Sequence, residues 1–160
     1  MDHTVNYPAL LAQAAALVEG VPYRVANLAN ISALLWQNLP QINWAGFYLR
    51  EGDSLILGPF QGKPACIRIP LGKGVCGTAA EENRTVRVED VHCFPGHIAC
   101  DADSNSEIVI PLRREGQVWA VLDIDSPLTG RFSPEDQAGL EALAGLLEKI
   151  CRPYNCLLTK

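Results

Sequence analysis

The sequence predicts an α+β domain with a central, mainly antiparallel sheet and with the N- and C-terminal helices packed on one face. Apolar residues recur at helical spacing near both ends of the chain, and alternating segments between them return across short turns. The length of 160 residues suits one domain of ordinary size. We expect the other face of the sheet to carry a ligand pocket beneath a short internal helix and a long polar loop.

The composition is that of a globular protein, and it argues against several classes of function. Hydrophobic residues make up 48% of the chain and charged residues 19%. The net charge of −5 and the lack of a basic cluster argue against a nucleic-acid surface. The N-terminus has no basic stretch typical of a secretory signal, and no apolar run approaches the ~18 residues that span a bilayer. We therefore expect a cytoplasmic protein that binds neither nucleic acid nor membrane.

Two helices are predicted before the first strand. Residues 8–18 are rich in alanine and leucine, and Gly20 follows them as a helix-terminating residue. Pro22 suits the start of a second helix, and apolar residues then recur every three or four positions until Pro40 ends the run. The second helix in particular should bury one apolar face.

Short segments with strand character fill the middle of the chain. The predicted elements, in order, are a strand over 43–49, a turn at 51–53, a returning strand over 54–57, a third strand over 65–69, a short helix over 75–82 and a strand over 85–88. Alternation in the first strand places Trp44 and Tyr48 on one face and Ala45 and Phe47 on the other.

A second hairpin and a final helix complete the predicted fold. The hairpin comprises residues 107–112 and 117–125. The residues that alternation places on its helix-covered face are Val118, Ala120, Leu122 and Ile124. The segment 133–136 reads Ser-Pro-Glu-Asp, which supplies a serine cap, a proline at the first position and an acid three residues after the cap. It predicts the start of a helix that continues to about residue 150.

Three acidic residues are expected to project together from the opposite face of this hairpin. Asp123 and Asp125 alternate with the apolar set, and Glu107 begins the neighbouring strand. Aspartate is disfavoured in strands, so the pair suggests a use beyond folding. Mutual repulsion raises the pKa of at least one of these carboxyls. The sequence therefore predicts a site for a cationic group or for general acid chemistry.

The stretch 92–111 is too rich in proline, glycine, aspartate and serine to be one helix or strand. It contains Cys100, which we identify as a candidate reactive thiol because a cysteine in a polar loop beside histidine readily ionises. A second cysteine could resolve its oxidised form, and the candidates are Cys66, Cys76 and Cys93. The spacing of residues along the chain does not choose among these three.

Metal and nucleotide sites are not predicted. His92, Cys93, His97 and Cys100 lie close together, but their spacing matches no familiar zinc site, and the chain has no C-x-x-C pair. The segment 58–64 reads GPFQGKP, which is one residue too short for a phosphate-binding loop and lacks the Ser or Thr after Lys.

Several of these motifs carry a resemblance to a known family. The runs are INWAGFYL (42–49), GVCGTA (74–79), VEDVHCFPGHIACDADSNSEIVIPL (88–112), AVLDIDS (120–126) and RFSPEDQAGLE (131–141). Together they resemble the free methionine-(R)-sulfoxide reductases, which are GAF-domain enzymes. The resemblance covers nearly the whole chain. It implies a single GAF domain over residues 1–160, with residues 152–160 as a C-terminal tail.

The resemblance also implies a role for each candidate residue. The nucleophile would be Cys100, its disulfide partner Cys66, and Cys76 an alternative resolving thiol. The substrate-binding residues would be Glu107, Asp123, Asp125 and Trp44, with Tyr48 completing an apolar wall for the substrate methyl group. Cys93 would not be required.

The reaction that the resemblance implies needs no cofactor and no metal. A thiolate would reduce free methionine (R)-sulfoxide, a resolving thiol would form a disulfide, and thioredoxin would recycle it. The alternative is a GAF-type sensor that binds a small ligand, or responds to redox state, without turnover. An exposed apolar helix face could also pair two chains as a homodimer.

Overall fold

The structure is a computed structural model that describes residues 4–98 and 100–150. Cys151, Cys156 and the predicted tail over 152–160 lie outside these residues, so the extent of the domain to residue 160 stays a prediction. No helix within the described ranges combines the length and the hydropathy needed to cross a membrane.

The described chain forms four α-helices and six strands. In order they are α1 (Tyr7–Val18), α2 (Arg24–Asn38), β1 (Trp44–Glu51), β2 (Ser54–Gly62), β3 (Arg68–Pro70), α3 (Gly74–Glu82), β4 (Val86–Val88), β5 (Ser106–Arg114), β6 (Gln117–Ser126) and α4 (Pro134–Ile150), with a short 3-10 turn at Val91–Cys93. The strands form one sheet in the order β3-β2-β1-β6-β5-β4. Every neighbouring pair is antiparallel, which confirms the predicted fold class.

The sheet separates two hydrophobic cores. The helices α1, α2 and α4 cover one face, where they bury Phe47 of β1 and Leu122 of β6 completely. The opposite face packs Tyr48 and Val121 against α3. Burial of these apolar side chains contributes roughly 1.5–3 kcal/mol each before entropy is counted. The predicted alternation of β1 and the common face of the terminal helices are therefore both confirmed.

Strand β2 is longer than predicted, because a bulge accommodates its proline. The sequence predicted a strand over 54–57, since Gly58 and Pro59 are usually turn residues. In the structure the register shifts here, so that both residues lie opposite Phe47 of β1. Proline is tolerated at a bulge, where its missing N–H breaks no ladder bond. The strand therefore continues to Gly62, beside Trp44.

Strand β3 is shorter than the predicted strand over 65–69. It begins only at Arg68, and the Cys66 carbonyl bonds a side chain in place of β2. The Cys66 carbonyl accepts a hydrogen bond from the Tyr48 hydroxyl at 2.8 Å. The Ile67 carbonyl accepts one from the Leu57 N–H at 2.9 Å. Cys66 thus lies in a bend that leads into the edge strand.

One predicted side-chain orientation is wrong. Val118 was expected on the helix-covered face, but it packs in the core beneath α3, while Trp119 packs against the helices. The register of β5 and β6 shifts between Leu112 and Arg113, which leaves Trp119 as the extra residue of a bulge. The alternation holds beyond this bulge, so Ala120, Leu122 and Ile124 face the helices as predicted.

Candidate active site

The structure brings two of the predicted thiols together. Cys66 and Cys100 form a disulfide bond that joins the bend before β3 to the polar loop, across a sequence separation of 34 residues. Their Cα atoms are 5.9 Å apart, which is typical of disulfides. Cys100 is exposed and Cys66 is half-buried. A protein or small-molecule thiol can therefore reach the bond from solvent at Cys100.

The other two described cysteines are free and lie in different environments. Cys76 is buried in the first turn of α3, and its thiol lies 3.8 Å from Glu107 Oε1. Cys93 is exposed, and its thiol lies 3.8 Å from Asp90 Oδ2. Cys93 is not among the residues that line the pocket described below. That Cys93 is not required stays a prediction.

The three predicted acids lie side by side on the sheet face beneath α3. Glu107 in β5 pairs with Asp125 in β6, and Asp123 lies one diagonal step away, opposite Val109. Glu107 and Asp123 are each only 6% exposed. The Asp123 Oδ1 atom is buried and has no hydrogen-bond partner in the described structure. Such an acceptor, buried beside other carboxyls, is suited to receive a donor from a ligand.

Burial changes the protonation of this acidic group. It raises the pKa of Glu107 well above its usual range, and the charges of Asp123 and Asp125 raise it further. Burial also raises the pKa of Asp125 and raises that of Asp123 to about 6, although hydrogen bonds from Glu107 and Cys76 oppose the rise at Asp123. The group consequently retains protons at a pH where ordinary carboxyls have lost them.

Burial also raises the pKa of the Cys76 thiol well above its usual range, and the nearby charges of Asp123 and Glu107 add to the effect. Cys76 is therefore held as a neutral thiol that donates toward Glu107. His97 lies on the other side of Glu107, with its Nε2 atom 3.8 Å from Glu107 Oε2. Burial, and then the charge of His92, lower the pKa of His97.

An aromatic wall lies beside the acids on the same face of the sheet, where Trp44 of β1 pairs with Asp125 of β6. Trp44 stacks on Tyr48 with ring centroids 5.9 Å apart, and on Phe60 with centroids 5.1 Å apart. The Trp44 indole N–H donates to the Lys63 carbonyl at 3.1 Å, and the Tyr48 hydroxyl donates to the Cys66 carbonyl. The two aromatic side chains that were predicted to line the site thus also fix the backbone that carries Cys66.

A second connection, which sequence reasoning missed, links the same two segments as the disulfide. Lys63 Nζ lies 2.8 Å from Asp103 Oδ2 and 3.6 Å from Asp101 Oδ1. Asn43 donates to Asp101 at 3.3 Å and to Ser104 at 3.0 Å. The charges were visible in the sequence, but only the path of the polar loop places them together.

The pocket collects nearly all of the predicted site residues. Its lining residues include Trp44, Tyr48, Cys76, Cys100, Glu107, Asp123 and Asp125. Lys63, His97 and Asp101 also line it, together with Gly74 and Val75 at the N-terminus of α3. The first N–H groups of a helix have no partner within the helix, so α3 presents backbone donors here. The site therefore combines a disulfide-bonded cysteine pair, an acidic cluster, an aromatic wall and backbone N–H donors.

Comparison with known proteins places this arrangement in a family. The GAF domain profile matches residues 11–150. The free methionine-R-sulfoxide reductase of Escherichia coli (strain K12) is 57% identical over 150 residues, covering 94% of this chain and 91% of that protein. The enzyme of the same name from Saccharomyces cerevisiae (strain ATCC 204508 / S288c) is 47% identical, covering 89% of this chain and 83% of that protein.

A solved structure agrees with these relatives. The substrate complex of fRMsr from Staphylococcus aureus has a TM-score of 0.89 and 55% identity, and the match covers 93% of this chain and 97% of that one. The fold and the matched profile make the chain a GAF-domain protein. More particularly, it belongs to the free methionine-R-sulfoxide reductases, which confirms the family that the motifs indicated.

Proposed function

We propose that this chain reduces free methionine (R)-sulfoxide to methionine by thiol chemistry. The observation that carries the proposal is the Cys66–Cys100 disulfide at a pocket whose floor is Glu107, Asp123 and Asp125. A free amino acid brings an ammonium group, which suits a buried acidic cluster. The two relatives named free methionine-R-sulfoxide reductase, at 57% and 47% identity, support this substrate class.

The substrate would bind through its two charged groups and its methyl group. The ammonium would bind at the acidic cluster, where Asp123 Oδ1 has no hydrogen-bond partner in the described structure. The carboxylate would accept hydrogen bonds from backbone N–H groups, which α3 supplies in addition to the polar loop. The methyl group would pack against Trp44, with Tyr48 behind it. This pose places the sulfoxide sulfur toward Cys100.

The chemistry would then proceed in three balanced steps. The Cys100 thiolate attacks the sulfoxide sulfur while a carboxyl proton passes to the oxygen, which ends on Cys100 as a sulfenic acid as methionine leaves. The Cys66 thiol attacks that sulfur, releases water and forms the disulfide. A protein dithiol of the thioredoxin class reduces the disulfide by exchange and restores both thiols. Because burial raises the pKa of Glu107 and of Asp125, a carboxyl of this cluster can still hold the required proton at neutral pH.

Substrate selectivity tests the ammonium pose directly. N-acetylated methionine (R)-sulfoxide is expected to lose at least about 100-fold in kcat/KM, because buried carboxyls would be left without their cationic partner. The assay follows turnover of the free and acetylated compounds with dithiothreitol as reductant. Equal kcat/KM for the two compounds would contradict the pose. Binding of free methionine sulfoxide without any turnover would instead indicate a sensor.

The resolving role is tested at Cys66. In Cys66→Ser, a single turnover should remain and should leave one sulfenic acid per chain, while cycling driven by thioredoxin should fall at least about 10-fold because the disulfide cannot form. Cys76→Ser, which removes a buried thiol of the same pocket, is the matched control. The measurements are rapid-quench detection of methionine and steady-state NADPH consumption. Normal cycling in Cys66→Ser would transfer the resolving role to Cys76.

We also propose that the protein acts in the cytoplasm and that two copies can associate. The support for association is the exposed apolar surface of α1 and α2, where Leu17 is 39%, Val25 62% and Trp36 41% exposed. Sedimentation velocity at increasing protein concentration measures it.

A further inference from the structure

We propose that Cys76, Glu107 and Asp123 form a binding site for a soft divalent cation such as Zn²⁺, and that the bound cation excludes the substrate from the pocket. Each residue offers one ligand atom, and these atoms lie within 4.8 Å of one another. Two of the residues come from different strands and the third from α3. Their spacing along the chain, 31 residues between Cys76 and Glu107, matches no zinc motif and hides the site from sequence reading.

The geometry is close to what zinc requires. Zinc binds thiolate sulfur at about 2.3 Å and carboxylate oxygen at about 2.0–2.2 Å in a tetrahedral arrangement, which puts neighbouring ligand atoms roughly 3.5 Å apart. The Cys76 sulfur lies 3.8 Å from Glu107 Oε1, so small side-chain movements complete the contact. The His97 imidazole lies 3.8 Å from the other Glu107 oxygen but outside this three-residue group, so water would take the fourth tetrahedral position.

The electrostatic environment favours a cation at this point. Glu107 and Asp123 are each 6% exposed, and Cys76 is 4% exposed. Within the described residues, neither Asp123 nor Asp125 forms an ion pair with a lysine or an arginine. Buried anionic groups are stable when they are paired or when they coordinate a metal. The Asp123 Oδ1 atom, buried and without a hydrogen-bond partner, is a ready ligand.

The choice of a soft cation follows from the thiol. Carboxylates alone would suit Mg²⁺ or Ca²⁺, whereas a thiolate among the ligands selects zinc and similar ions. Binding replaces the S–H proton of Cys76, and any carboxyl proton, with the metal, and these protons pass to solvent. No electron transfer is involved.

Metal binding to Cys76 can be distinguished from metal binding to the Cys66–Cys100 pair by the redox state of that pair. A zinc ion could bind Cys66 and Cys100 as free thiolates in the reduced protein. In the disulfide form both sulfurs are bonded to each other, whereas Cys76 remains free. The proposed site therefore persists in the oxidised protein, where Cys76 is the one described cysteine that can supply a thiolate–metal bond inside the pocket.

The test uses oxidised protein with Co²⁺ as a spectroscopic probe for Zn²⁺. The background carries serine at positions 93, 151 and 156, so that Cys76 is the one free thiol in the chain. We expect one equivalent of Co²⁺ to give thiolate-to-cobalt charge-transfer absorption together with the visible bands of a tetrahedral ion, and Zn²⁺ to displace it.

Two further substitutions in this background decide the ligands. Cys76→Ser should abolish the charge-transfer band, and Glu107→Gln should keep the band but weaken affinity by at least the 10–100-fold typical of losing an outer-shell partner. If Cys76→Ser does not fold, Glu107→Gln alone remains decisive. An unchanged cobalt spectrum in the folded Cys76→Ser protein, or unchanged affinity in Glu107→Gln, would overturn the site.

Competition tests the second half of the proposal, which rests on the proposed function. Methionine should raise the Kd for Co²⁺ linearly with its concentration, once the cobalt that methionine chelates in solution is subtracted, because its ammonium and the cation need the same carboxylates. Cobalt affinity that methionine at saturating concentration leaves unchanged would overturn the shared site. Reductase activity of the same protein with dithiothreitol and a chelator is measured separately, so loss of the metal site and loss of the enzyme function are distinguishable.

Discussion

Cys100→Ser is expected to lower the turnover of free methionine (R)-sulfoxide at least about 10⁴-fold, even with excess dithiothreitol. A serine hydroxyl remains protonated at neutral pH and is a far weaker nucleophile toward sulfur than a cysteine thiol. Because dithiothreitol bypasses the resolving step, the loss isolates the nucleophile from disulfide formation. The measurement is methionine production over hours by chromatography, so that very low rates remain visible.

Cys93→Ser is the matched control for this experiment. Cys93 also precedes β5, is exposed, and is absent from the pocket lining. We expect its rate to remain within about 2-fold of the parent protein, as for surface substitutions away from special features. Turnover above about a tenth of the parent rate in Cys100→Ser would place the nucleophile elsewhere, with the buried Cys76 as the first candidate.

Asp123→Asn is expected to stabilise the fold while it damages substrate binding. Burial raises the pKa of Asp123 to about 6 in the folded protein, against about 3.9 in an unfolded chain. The folded state therefore holds a proton that the unfolded state releases. The resulting penalty is absent below about pH 4, grows as the pH rises, and is complete above about pH 6.

The size of the penalty follows from the pKa difference. At about 1.36 kcal/mol per pKa unit, Asp123 costs the fold of order 2–3 kcal/mol at neutral pH. The neutral amide avoids this cost, so the melting temperature at pH 7 should rise by several degrees. Loss of one carboxylate from the proposed ammonium site should meanwhile raise KM about 10- to 100-fold.

Thermal melts at pH 4 and pH 7 measure this effect. The stability gain from Asp123→Asn should be large at pH 7 and should shrink toward pH 4. Asp53→Asn is the control, because Asp53 is an exposed turn residue and its substitution should shift neither quantity. A lower melting temperature at pH 7 for Asp123→Asn would show that its hydrogen bonds outweigh its burial.

The sequence predicted the sheet faces better than the strand lengths. Two-residue alternation correctly placed Trp44 and Tyr48 on one face of the sheet and Phe47 on the other. It also placed Asp123 on the face away from the terminal helices. Alternation does not reveal a bulge, because an inserted residue looks like any other in the sequence. For that reason the end of β2 beyond Pro59 and the face occupied by Val118 in β6 were predicted wrongly.

The sequence predicted which residues form the candidate site better than it predicted which of them contact one another. The three acids follow from strand pairing, which is a local rule. The pairing of Cys66 with Cys100 came only from the family resemblance, since spacing leaves three partners possible. The proximity of Cys76 to Glu107 depends on how α3 packs on the sheet. This packing is tertiary structure, and no local sequence pattern predicts it.

The charged contact between Lys63 and the polar loop has a consequence for the speed of disulfide closure. It spans the same gap as the disulfide, with Lys63 three residues before Cys66 and Asp101 directly after Cys100. We expect this exposed contact to restrain the two segments after reduction breaks the sulfur–sulfur bond. It raises the effective concentration of one thiol at the other, as a short linker does. Because salt screens exposed charges, higher ionic strength should slow disulfide closure in the proposed reaction.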